Sequence, residues 1–143
     1  MASVREINQA CLVRHLTAEN AHRLDETLAT LTEDCIFEDV ALQKIFRGHA
    51  GAAEYYRMWW SAFQIQVEIG KGTRHWIAED LFVSETSYAG THVGEFLGIA
   101  PTGRAIQFRF VVFVTFRDGL FAGERFYYDL ATLLRQIGPV PQP

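Results

Sequence analysis

The last third of the chain constrains its fold most. From Arg104 to Phe116 runs a long stretch of aromatic and β-branched residues, and Leu120 to Tyr128 is a second one. Asp118-Gly119 lies between them, and Asp-Gly between two such runs is a strong signal for a tight hairpin turn. The two strands are therefore expected to be antiparallel neighbours. Asp129 follows directly on Phe126, Tyr127 and Tyr128. A carboxylate set beside so much apolar surface must be paired, hydrogen-bonded or shifted in pKa. That makes it the first candidate for a functional group.

Helical spacing marks the N-terminal part. Val4, Ile7, Cys11 and either Leu12 or His15 share one side of a helix over about Ser3 to Thr17. A second helix runs through Leu24, Leu28 and Leu31, and Cys35 to Asp39 reads as a short strand. A third helix, about His49 to Phe63, places Ala52, Tyr55, Trp59 and Phe63 on one face. Strands follow at Ile65–Ile69, Arg74–Glu79 and Leu81–Gly94, ahead of the hairpin. Leu130–Ile137 is a short final helix for which Asp129 is also a favoured N-cap. Helices first and strands later imply an α+β fold, with three helices on the concave face of one curved antiparallel sheet. Residues 1–138 form one domain, and 139–143 a flexible Pro-rich tail.

Composition removes several functions. The net charge is −4 with no basic stripe, which argues against nucleic acid as a partner. No apolar run reaches the length of a membrane span. Met1 to Glu6 lacks the apolar core of a signal peptide, and Cys11 and Cys35 read as reduced core residues, so a cytoplasmic protein is expected. The five histidines show no metal-ligand spacing. With no Gly-rich phosphate loop and no Gly-x-Ser-x-Gly elbow, an acid/base site without cofactor is what remains. Aromatic residues make up 13%, enough to fill a core and still line a cavity.

The order of motifs carries a resemblance. Gly90-Thr91-His92-x-Gly94-x-Phe96-x-Gly98-Ile99-x-Pro101-Thr102-Gly103-Arg104 is followed by the Asp-Gly hairpin. Then come Tyr127-x-Asp129 and Leu133-Leu134-x-Gln136-Ile137-Gly138. Together these resemble the SnoaL-like polyketide cyclases of the nuclear transport factor 2-like superfamily, over nearly the whole chain. The resemblance implies a cone-shaped sheet with a pocket under the helices, and a general acid/base aspartate at Asp129. Phe37-Glu38-Asp39 and the helix carrying Tyr55-Tyr56 resemble the bacterial ketosteroid isomerases, which implies that Asp39 is a proton-shuttling base. The same alignment puts His15 and Val112 where those enzymes carry their two oxyanion donors. Val112 cannot donate, so an enolate would lose a large electrostatic stabilisation.

The resulting expectation is a cofactor-independent cyclase or isomerase of a hydrophobic carbonyl compound. Asp129 removes and returns a proton, with Asp39 or His92 as second carrier. His92 enters a Gly-rich loop, where it either exchanges protons or shapes the loop. By period-two alternation Arg125, Tyr127 and Asp129 share one face of the last strand. Tyr55, Trp59, Phe63, Phe110, Val112 and Tyr127, with His15, are expected to line one cavity into which Asp129 reaches. The outer sheet face, with Val111 and Phe113, is expected to be buried in a homodimer. Three alternatives stand beside this: a non-catalytic binder of a hydrophobic small molecule, a hydratase or epoxide hydrolase using Arg125 with Asp129 and Asp39, and an interaction module. A pocket filled by side chains favours the last, and an open pocket with Asp129 at its floor favours the others.

Overall fold

The computed structural model describes residues 1–138. The tail expected at 139–143 lies outside the described residues. The first helix, α1 (Val4–Asn20), starts at a capping box. The Glu6 N–H donates to Ser3 Oγ at 3.1 Å, and the Ser3 N–H donates to Glu6 Oε2 at 3.2 Å. These two bonds satisfy N–H groups that the first turn leaves without partners. A five-residue α2 (Leu24–Leu28) follows, then β1 (Leu31–Asp39), β2 (Lys44–Arg47) and α3 (Gly48–Phe63). The remaining elements are β3 (Gln66–Val67), β4 (Thr73–Ala78), β5 (Leu81–Thr91), β6 (Ala105–Arg117), β7 (Leu120–Tyr128) and α4 (Leu130–Ile137). No helix among the described residues is long and apolar enough to cross a membrane.

The strands form one sheet in the order β2-β1-β7-β6-β5-β3, with β4 also paired to β5. The hairpin expected at Asp118-Gly119 is present. Both residues have positive φ, 53° and 77°, as a turn of the primed type requires. The expected antiparallel sheet needs one amendment, because β1 runs parallel to β7 while the other pairs are antiparallel. Strand β1 reaches its place through the helical N-terminus rather than a hairpin, so nothing forces it to run antiparallel. Strand β2 carries no alternation over its four residues and is invisible in the pattern. Leu31, expected at the end of the second helix, instead opens β1.

One irregularity decides which side chains face inward. In the β6–β7 pair Phe116 sits opposite Phe121 and Thr115 opposite Gly123, so Ala122 is an extra residue. Such a bulge shifts the alternation by one. Beyond it Glu124 and Phe126 are buried and Tyr128 is half-buried, while Arg125 and Tyr127 are exposed. On β6 the inner residues are Phe108, Phe110, Val112, Val114 and Phe116, each buried. These pack with α1 and α3 into one aromatic core.

Two glycines of the Gly-Thr-His-x-Gly stretch have a packing reason. A Cβ on Gly90 would lie 2.4 Å from the Phe63 carbonyl oxygen, and one on Gly94 would lie 2.3 Å from that of Ser61. The end of α3 docks here, with Ala62 O accepting from the Val93 N–H at 2.8 Å and the Gly94 N–H at 3.1 Å. Only a residue without a side chain admits so close an approach.

Candidate active site

Between the helices and the sheet lie two small adjoining chambers. The first, of about 20 Å³, is walled by Tyr55, Trp59, Phe108 and Tyr128 among others, and the second, of about 40 Å³, by His15, Phe110, Val112 and Glu124 among others. Glu19, Tyr88 and Phe126 border both. This is room for a few water molecules. Side chains fill most of the space that the resemblance implies for a ligand.

Two polar groups stand in this apolar interior. The first is centred on Asp39, the last residue of β1, which is fully buried. Its Oδ2 accepts from the Tyr55 hydroxyl at 2.8 Å and the Tyr128 hydroxyl at 2.9 Å, and its Oδ1 accepts from the Leu42 N–H at 2.8 Å. The two tyrosines, from α3 and β7, form part of the first chamber's wall and place Asp39 behind them. Burial, and then the Asp39 charge, push both phenols above the ordinary tyrosine range. Both therefore stay protonated and serve as O–H donors.

The second group is centred on His15, also buried. Its Nδ1 lies 2.7 Å from Thr30 Oγ1, whose own hydroxyl donates to Thr27 O at 2.6 Å. Thr30 must therefore accept, and Nδ1 carries a hydrogen. His15 Nε2 faces the Tyr56 hydroxyl at 3.2 Å, Glu19 Oε2 at 3.4 Å and Glu124 Oε1 at 3.5 Å. Burial, and then the nearby Glu19 charge, raise the Glu124 carboxyl well above the usual carboxylate range. The same setting pushes the Cys35 thiol up to about 11, by burial first and the Glu124 charge second.

His92 lies elsewhere. It is fully buried at the end of β5 and shapes the following loop. Its N–H donates to Arg104 O at 2.9 Å, its carbonyl accepts from the Gly103 N–H at 2.9 Å, and its Nδ1 accepts from the Thr102 N–H at 3.2 Å. The hydrogen is then on Nε2, which has no partner among the described residues. Its ring packs on Phe63 with centroids 5.3 Å apart. His92 borders neither chamber.

Asp129 is exposed, contrary to the placement expected for it. It is the N-cap of α4, with Oδ1 accepting from the Thr132 N–H at 3.0 Å and Oδ2 from the Thr132 hydroxyl at 2.6 Å. Those two bonds, the hydroxyl first, hold its carboxyl below the ordinary value. It borders an open groove of about 360 Å³ on the outside of the sheet, with Glu85, Arg109 and Tyr127. The expected alternation holds, since Arg125 and Tyr127 do share a face. That face is the outer one, and Tyr127 is 42% exposed on it. The interior burial on which Asp129's candidacy rests is absent. Arg125 stacks over Phe113 and Tyr127, at 4.9 and 5.8 Å, so it does not join Asp129 and Asp39 in one site.

Of the other expected lining residues, His15, Tyr55, Trp59, Phe110 and Val112 border the chambers. Phe63 borders neither, being enclosed by Trp59, Phe96 and His92. Glu19, Glu124 and Tyr128 are not among the residues expected from the sequence. Glu19 has a signal, lying four residues after His15 on the same helix face. Glu124 and Tyr128 have one too, since the strand mates of an exposed Arg125 leave the alternate residues for the core. Among the described residues no three His, Cys, Asp or Glu side chains are gathered so as to hold a metal ion.

Comparison with known structures supports the fold. A protein provisionally assigned as a polyketide cyclase from Xanthomonas campestris pv. campestris is 19% identical, with 95% of this chain and 100% of that one covered and a TM-score of 0.84. A protein provisionally assigned as a SnoaL-like polyketide cyclase from Jannaschia sp. CCS1 is 20% identical, covers 99% and 98%, and has a TM-score of 0.83. A ketosteroid isomerase-like fold from Catenulispora acidiphila is 18% identical, covers 93% and 97%, and has a TM-score of 0.73. A comparison with curated proteins gives no match. The model of the family described as SnoaL-like polyketide cyclase matches residues 9–137, and the chain belongs to that family.

Proposed function

We propose that the chain is a cofactor-independent cyclase or isomerase acting on a hydrophobic carbonyl compound, with its proton chemistry in the interior rather than at Asp129. The observation that carries this reading is Asp39: a fully buried carboxylate holding two tyrosine hydroxyls at the wall of an aromatic chamber. Burying a charge is costly unless it is paired or fully hydrogen-bonded. The filled interior counts toward the interaction module, and the buried Asp39 with its two tyrosine donors is the observation that weighs against it. Asp39, through Tyr55 or Tyr128, takes a proton from the carbon next to a carbonyl and returns one later. Because the chambers are small, a ligand of several rings displaces the aromatic wall as it enters.

The test needs no knowledge of the product. Exchange of α-hydrogens of 4-(6-methoxy-2-naphthyl)-2-butanone in D₂O is followed by NMR. Asp39→Asn is expected to slow the exchange by roughly 10²–10⁴, the range for a lost general base. Full loss in Asp129→Asn with none in Asp39→Asn would return the role to Asp129.

The outer sheet face supports a homodimer. Ile36 and Tyr127 are 43% and 42% exposed there, and Phe113 and Arg125 border an open groove of about 490 Å³. Light scattering at micromolar concentration is expected to give twice the chain mass, and a monomer would refute the dimer.

A further inference from the structure

The second chamber is apolar along most of its wall, and its charged and hydroxyl groups divide into two sets. Glu19 and Glu124 both face His15 Nε2, at 3.4 and 3.5 Å. The other set is Arg74 on β4 with Ser84 on β5. Arg74 is exposed and borders the chamber, so the chamber meets water at this residue. Among the described residues it is the one Arg or Lys that borders either chamber, and it takes part in no ion pair. Ser84 is 7% exposed, and no hydrogen bond joins its hydroxyl to a described residue. A buried hydroxyl without a protein partner is uncommon. Thr86, the next hydroxyl along β5, is occupied and donates to Glu68 O at 2.9 Å.

The sheet sets Arg74 and Ser84 side by side. They stand opposite each other in the β4–β5 pair, so their side chains leave on one face with Cβ atoms about 5 Å apart. Trp76, two residues beyond Arg74, packs on Phe82 and Phe116 with centroids 5.2 and 5.3 Å away, which marks that face as the inner one. The row continues inward, with Ser84 opposite Val112 and Val112 opposite Phe126. Phe126 borders both chambers, and its ring lies 5.6 Å from that of Tyr55. Three strand spacings of about 4.8 Å make the row about 14 Å long. A guanidinium stands at its outer end and the Asp39 centre beyond its inner end.

We propose that Arg74 and Ser84 form an acid-binding subsite at the mouth of the second chamber, which selects ligands that carry a carboxylate on an apolar body. A planar carboxylate matches the pair, with one oxygen on the guanidinium and the other on the serine hydroxyl. A phosphate brings more oxygens and more charge than one cation and one hydroxyl can meet. The raised carboxyl of Glu124, due to burial and then the Glu19 charge, lessens the negative charge that an entering anion meets. The subsite rests on the reading of the interior as a substrate site and narrows the substrate. The acid and the reacting carbonyl lie at opposite ends of a body of fused rings.

Equilibrium binding tests this separately from turnover. The probe is 6-(3-oxobutyl)-2-naphthoic acid, compared with its primary amide, which keeps the shape and removes the charge. Naphthalene fluorescence gives Kd for each with the whole protein at pH 7. Wild type is expected to bind the acid roughly tenfold more tightly than the amide, the effect of one charge-assisted hydrogen bond. That ratio should fall to about 1 in Arg74→Gln and by a smaller factor in Ser84→Ala. Circular dichroism checks that both variants are folded at the temperature of the titration. A wild-type ratio near 1, or a ratio that Arg74→Gln keeps, would overturn the subsite. So would an acid that fails to bind at about 1 mM. None of these outcomes bears on Asp39, whose test is the exchange rate. An Asp39→Asn protein that exchanges normally would remove the base and leave the binding ratio standing.

Discussion

The two faces of β7 carry the same kinds of residue to opposite ends. Inward from the bulge at Ala122 come Glu124, Phe126 and Tyr128, and outward come Arg125 and Tyr127, with Asp129 just beyond the strand. Each side has aromatic surface and a carboxylate. Inside, burial raises the Glu124 carboxyl and the Tyr128 phenol and leaves each with few partners. Outside, water and two short bonds from Thr132 leave Asp129 a low, satisfied carboxyl. Closeness to aromatic residues in sequence therefore says little about a charge. The parity of the strand decides whether those residues exclude water from it or merely stand next to it.

The most severe way to break the comparison is to shift the parity beyond the bulge. Inserting one alanine between Gly123 and Glu124, with the bulge at Ala122 kept, would send Glu124, Phe126 and Tyr128 outward and bring Arg125 and Tyr127 into the core. The expected result is loss of a cooperative thermal transition, measured by circular dichroism. A variant that melts normally would show that the sheet absorbs the change elsewhere.

Next in size is Asp39→Ala. It orphans two buried tyrosine hydroxyls and the Leu42 N–H, at roughly 1–3 kcal/mol for each buried donor left unmade. Urea unfolding is expected to show a loss of several kcal/mol. A loss below about 1 kcal/mol would mean that water already satisfies these groups.

Glu124→Gln should act in the opposite direction. A carboxyl whose folded pKa lies above its unfolded one favours the fold while protonated, and this advantage is lost as pH rises from the unfolded value, about 4.3. Removing the titration should therefore raise the melting temperature by several degrees at pH 7, since every tenfold weakening of the folded acid costs the fold about 1.4 kcal/mol there. The gain should fade toward pH 4. An equal gain at both pH values would point to packing rather than ionisation.

These contrasts also show what the sequence makes legible. The hairpin, the three N-terminal helices and the inward face of β6 follow from turn chemistry and periodicity. They depend on neighbours within one or two residues. Asp39, Tyr55 and His15 stand out by resemblance and do border or back the chambers. Asp129 is misplaced from sequence because a bulge shifts alternation without leaving a mark in composition. Glu19 and Glu124 come from opposite ends of the chain, and only the β1–β7–β6 pairing brings the latter under α1. The parallel β1–β7 contact on which this depends is long-range and has no local signal.

The smallest effect is the most exacting test of the difference between the two faces. Asp129 caps α4 by accepting from Thr132, and Asn is as good an N-cap as Asp. Asp129→Asn should therefore change stability at pH 7 by only a few tenths of a kcal/mol, whereas Asp129→Ala should cost about 1 kcal/mol. The sign with pH follows from the lowered pKa. The folded carboxylate contributes stability above its unfolded value, about 3.9, and this contribution is lost as pH falls through the lower folded value. Wild type should lose this cap at strongly acidic pH, and Asp129→Asn should keep its amide cap there. Thermal melts of the two proteins between pH 2 and 7 would then converge near neutrality and part only at the acid end, with the variant the more stable. A large difference at pH 7 would instead mean that Asp129 meets a charge or a ligand that its exposed position at the helix start does not show, and the division between an active inner face and a structural outer one would fail.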